Sequence, residues 1–172
     1  MTWTDFYRRR DILDAVLREV RREPDGPLPF DSVPGARDTF GSEENLLLAL
    51  HHKWTQVLSG HLRAETVGDP DHVDAVTRAW RRASESHPTL RAVLDAHVEG
   101  HPALRSLREA EQRMLVLTAG LADADEPEAE TTATGAAFET LLRHGTDVRA
   151  TRAPRSVRAS TGFLRRMLAP SA

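Results

Sequence analysis

Eight histidines, a scatter of serines and no cysteine are the materials from which this chain would build a metal site or a catalytic centre. The best-spaced histidine pair is His97 and His101, four residues apart with Glu99 between them. A zinc-binding helix of the metalloprotease type needs both imidazoles on one unbroken helical face and a correctly phased glutamate base. Gly100 and Pro102 interrupt that face and Glu99 stands one position out of phase, so the spacing predicts no metal site. His61 falls in line with Leu47 and Trp54 on an apolar seam. A buried imidazole needs a hydrogen-bond partner, which makes His61 either a satisfied core histidine or the polar anchor of a ligand cavity. Trp54 and Trp80 carry the same two readings, core or pocket wall. His51 and His52 are adjacent and so face different ways. The serines fall at helix caps or in the tail, none in a strand–turn–helix elbow, and no glycine-rich phosphate loop is present. The acidic stretch 123–130 lacks the glycine and spacing of a calcium loop. The residues therefore point to no catalytic set and to no cofactor.

The elements that would carry these side chains are helices throughout, because Ala, Leu, Arg and Glu dominate and β-branched runs are missing. A first helix is predicted over 5–22 with Thr4 as its cap and Phe6, Ile12, Leu13, Val16, Leu17 and Val20 on its apolar face. Residues 23–40 contain Pro24, Gly26, Pro27, Pro34 and Gly35, which predicts loop with room for one short helical turn. Ser42 is a helix cap followed by Glu43 and Glu44, where negative charge suits the helix dipole. The helix it starts runs to about 63 with Leu47, Leu50, Trp54, Val57 and His61 as its seam. Further helices are predicted at 72–85, capped by Asp71, and at 89–99, stopped by a left-handed Gly100. The next, 102–122, has Pro102 as its first residue and the stripe Ala103, Leu107, Ala110, Met114, Leu117 and Leu121. A helix at 128–143 follows, with Ala133, Ala136, Ala137, Phe138, Leu141 and Leu142 inward and Gly145 as its end, and then a short one at 162–168. The sum is an all-α bundle of about six or seven helices.

Length and charge set the remaining bounds. A chain of 172 residues is long enough to bury a core without staples. Arg8, Arg9 and Arg10 lead into an amphipathic segment, so no secretory signal is predicted. The longest apolar stretches, 46–50 and 114–122, fall far short of the roughly 20 residues that span a bilayer, so no membrane partner is expected. The absence of cysteine suits a reducing cytoplasm, the expected location. Of the net charge of −3, residues 1–53 and 54–145 are both acidic, and the six arginines against one aspartate make only 146–172 basic. That tail is read either as a polyanion-ready segment or as a solvated terminus.

The segment Phe40-Gly41-Ser42-Glu43-Glu44-Asn45-Leu46-Leu47 resembles the signature that closes the DNA-binding head of the tetracycline-repressor (TetR) family. Ile12-Leu13-Asp14-Ala15-Val16-Leu17 looks like that family's first helix, and Ser86-His87-Pro88-Thr89-Leu90 with His101-Pro102-Ala103-Leu104 like its regulatory helices. The resemblance implies a shortened head over 1–53 and a regulatory and dimerisation body over 54–172, folded as one unit. It implies a homodimeric transcriptional regulator in which Arg37, Ser42 and the arginines at 8–10 touch DNA phosphate. His61, Trp80 and His97 would then line a pocket for a small apolar ligand between the helices at 43–63, 72–85 and 102–122. The chain departs from the family pattern before Phe40, where the interval is short for two helices and rich in proline, and at Arg37 and Glu43. The alternative is a non-enzymatic helical module, dimeric through 128–143 and 162–168, that has lost DNA binding.

Overall fold

The computed structural model describes residues 3–150. Among them are seven α-helices, one 3-10 turn and no strand, in agreement with an all-α bundle. They are α1 (Trp3–Glu19) with the turn Val20–Arg22, α2 (Ala36–Phe40), α3 (Glu43–Thr66), α4 (His72–Ser86), α5 (Pro88–His97), α6 (Pro102–Ala119) and α7 (Glu128–Ala150). None is long and apolar enough to cross a membrane. The short helix expected at 162–168 and the basic tail beyond 150 lie outside the described residues.

α3 is the central rod, and its start is set by local chemistry. Phe40 ends α2, Gly41 turns the chain at φ +73°, and Ser42 in an extended conformation accepts from the Asn45 N–H at 3.2 Å. Asn45 Nδ2 donates back to the Phe40 carbonyl at 2.9 Å, tying α2 to α3. Asp71 caps α4 in the same manner, accepting from the Asp74 N–H at 3.0 Å. Pro88 and Pro102 occupy first-turn positions, where a missing N–H costs nothing. Gly120 (φ +67°) closes α6, with its own N–H bonding Leu117 and that of Leu121 bonding Val116.

Leu46, Leu47, Leu50, Trp54 and Leu58 on α3 are fully buried, and one core cluster gathers them with Val16 of α1, Val76 and Trp80 of α4, Val93 of α5, Leu115 of α6 and Phe138 of α7. Residues 23–35 hold no helix, and they feed Leu28, Phe30 and Val33 into the same core.

Several local expectations change. α1 begins at Trp3, so Thr4 lies within it and does not cap it, and Phe6 is exposed. The α3 seam continues through Leu58 and Leu62, leaving Val57 and His61 half-buried. Gly100 lies in a turn without a left-handed φ, and α7 passes through Gly145. The buried face of α6 is Leu104, Glu111, Gln112, Leu115, Val116 and Ala119, and that of α7 is Thr131, Gly135, Phe138, Glu139 and Leu142. Both faces are rotated from the predicted stripes, because polar side chains occupy core positions. Ala133, Ala136, Ala137 and Leu141 face outward. Gly135 permits the tight α6–α7 approach, since a Cβ there would lie 2.7 Å from the Gln112 backbone.

Candidate functional site

A concave feature with apolar walls is a groove of about 860 Å³ between α1 and α3, bordered by the last turn of α2. Helical spacing places its residues. Phe6, Arg9, Arg10 and Leu13 recur along one side of α1, and Asn45, Leu48, Ala49, His52, Lys53, Gln56 and Val57 along one side of α3. Leu13 and Phe40 are buried in its floor, while Leu48, Ala49 and Val57 are half-buried. Polar groups stand around this floor. The Arg9 guanidinium sits 4.7 Å above the Phe40 ring and reaches the Thr39 carbonyl at 3.5 Å. Arg10 lies 5.1 Å from the Tyr7 ring and 3.4 Å from the exposed Asp11 carboxylate. Lys53 pairs with Asp14 at 2.5 Å. Among the described residues no carboxylate lines the groove itself, those of Asp11 and Asp14 standing beside it.

A second constellation is largely buried, and its arginines and carboxylates are paired with one another, while His51 Nε2 beside it makes no hydrogen bond. Arg91 of α5 donates to Asp95 at 2.6 Å, to Glu111 of α6 at 3.0 Å and to Glu139 of α7 at 3.0 Å, with its guanidinium 5.1 Å from the Trp54 ring. Glu139 also accepts from Gln112 at 2.7 Å, Arg108 at 3.1 Å and Arg143 at 2.6 Å. Arg143 returns to Asp95 at 2.5 Å, and His51 Nε2 lies 3.6 Å from Glu111. Burial pushes the carboxyls of Asp95 and Glu139 upward, but the arginine charges and hydrogen bonds outweigh it and hold both below the ordinary carboxylate value. The space left beside His51 and Glu111 is about 10 Å³, which is at the threshold for one water. A site so filled is an ionic clamp joining α5, α6 and α7. It has no room for a substrate.

The residues singled out from the sequence do not converge. Arg37 is exposed, bonds Asp31 through Nε at 3.0 Å and covers Phe30 at 5.6 Å, bracing the turn before α2. The Ser42 hydroxyl is engaged as the α3 cap. Trp80 is 3% exposed within the core, His61 is half-buried on α3, and the His97 ring Nδ1 donates to the Val93 carbonyl at 2.9 Å. None of these three lines the groove. Between α3, α4 and α6, Leu58, Val76, Ala79, Trp80 and Leu115 are all buried in one packed cluster. Among the described residues no three His, Asp or Glu side chains are placed to hold a metal ion. Of the residues named for phosphate contact, Arg9 and Arg10 do reach a common feature, the groove.

Sequence reasoning missed both constellations. The groove depends on how α1 crosses α3, which no local pattern encodes. The clamp places Glu111 and Glu139 where amphipathic reasoning reserves positions for apolar side chains; their only signal is that Arg91, Asp95, Glu111, Glu139 and Arg143 fall on inward faces once α6 and α7 are turned. Compared with family models, curated proteins and solved structures, the chain matches none.

Proposed function

We propose that this chain is a cytoplasmic, non-enzymatic helical binding module whose site is the groove between α1 and α3. The observation that carries this reading is the form of residues 23–40. A helix-turn-helix reader needs a second full helix to enter the major groove. Here the interval supplies turns and the five-residue α2, whose Ala36 and Phe40 are committed to the core. The arginines at 9 and 10 line the groove, Arg9 over the Phe40 ring and Arg10 beside Asp11. The groove's size falls within the usual range for small-molecule sites. A gel-shift titration against the DNA upstream of the coding sequence, at two salt concentrations, tests the module reading. No retardation at low salt is expected; salt-sensitive, sequence-selective retardation would overturn it.

The TetR-like regulator remains the second reading. It is favoured by one specific feature, the passage from Phe40 through the Ser42 cap into the long α3, which follows the layout of that family's link between head and body. The same gel shift decides between the two.

Both readings include a homodimer. Its support is the outward face of α7, where Ala133, Ala137 and Leu141 are exposed, with Leu141 at 68%. Light scattering on the full chain is expected to give twice the monomer mass. Leu141→Glu would then yield the monomer, and a monomeric wild-type chain would sink the dimer.

A further inference from the structure

We infer that the α1–α3 groove binds an aliphatic carboxylate, with the chain on its apolar floor and the headgroup among Arg9, Arg10 and Lys53. This inference rests on the binding-module reading and adds the chemistry of the ligand. The apolar part follows from the floor: Leu13, Phe40, Leu48 and Val57 present hydrocarbon at the base of the trough, and burying an alkyl chain there removes apolar surface from water on both partners. The anionic part follows from charge complementarity. The net charge of the chain is −3, yet the charged side chains lining this one concavity are Arg9, Arg10 and Lys53, all cations. His52 and Gln56 add polar contacts on the α3 side.

The arginines are held ready for an anion. Arg9 is fixed over the Phe40 ring, and its contact with the Thr39 carbonyl at 3.5 Å is long for a hydrogen bond, so its remaining N–H groups gain by meeting a carboxylate. Among the described residues Arg10 is balanced by the solvent-exposed pair with Asp11, which an incoming carboxylate would displace at little cost. Lys53 keeps its partner Asp14 and contributes as a neighbouring positive charge.

Three probes of one chain length separate shape from charge: decanoate, decanol and decylamine, each titrated below its micelle concentration and followed by calorimetry and thermal shift. Decanoate is expected to bind saturably and raise the melting temperature, decanol about tenfold more weakly, and decylamine not at all. Arg9→Gln should lower decanoate affinity about tenfold and leave decanol unchanged. Leu48→Trp, at a half-buried wall position, should fill the trough and abolish both, with circular dichroism and the melting temperature of the free protein reporting that the variant folds. Equal binding of decanoate and decanol overturns the assignment of the headgroup. Binding that survives Leu48→Trp overturns the site. Decanoate binding together with DNA retardation would support this inference while ending the module reading; absence of both overturns this inference and leaves the module reading standing.

Discussion

Glu139 accepts from three arginines and Gln112 while almost entirely buried, so it is the single residue whose replacement should be felt most. Removing its charge takes one carboxylate from Arg91, Arg108 and Arg143 while Asp95 and Glu111 remain, so the loss is at most the roughly 3–5 kcal/mol of a broken buried pair. Glu139→Gln is therefore expected to lower the urea midpoint by up to that equivalent at neutral pH. Gly135→Ala acts a short distance away through volume alone. The added methyl meets the Gln112 backbone at 2.7 Å, and overpacking of this kind costs about 1–3 kcal/mol. The two substitutions share the α6–α7 seam, so their effects should not add, which a double-mutant cycle would read as a coupling.

At the scale of the element, the ends of helices were legible in the sequence and their orientations only partly so. Ser42 and Asp71 start α3 and α4 as the cap chemistry foretells, because the signal lies within four residues of the site. Ser42→Ala should cost about 1 kcal/mol in chemical denaturation, with Asp71→Ala close to it; a change near zero in either would mean that the cap contributes nothing beyond solvent. The apolar face of α3 was also readable as far as Trp54, since leucine and tryptophan leave little ambiguity. α6 and α7 were not. Alanine is at home on either face of a helix, so Ala133, Ala136 and Ala137 gave a stripe without direction. The residues that do fix the rotation, Glu111, Gln112 and Glu139, have types that pattern reasoning assigns to water. A buried polar network misleads a hydrophobic periodicity because its energy comes from partners on other helices, which a single helix does not display. The groove was illegible for a related reason: its residues were each visible, but the crossing that makes a trough of α1 and α3 is a tertiary fact.

For the molecule as a whole, the clamp predicts the response to acid. Asp95 and Glu139 carry depressed carboxyl values in the folded state, so each contributes stability that is fully present above the ordinary carboxylate range. That contribution disappears as pH falls through the folded values. Urea midpoints should hold steady from neutral pH to about 5 and then fall, and Glu139→Gln should flatten the acid limb. A midpoint that instead declines on approach to pH 8 would contradict the sign. The overall architecture was the most secure reading of the sequence, because summed helix propensity and the lack of any strand-like alternation leave one fold class.

The members of the clamp stand on α5, α6 and α7, and none stands on α1 or α2. Protonation thus loosens one flank of the bundle while the other keeps its mainly oily adhesion through Val16, Phe40 and Leu47. Deuterium should consequently enter the amides of α7 once pH falls below the ordinary carboxylate range while those of α3 stay protected, and the molecule would come apart from its carboxy-terminal side inward.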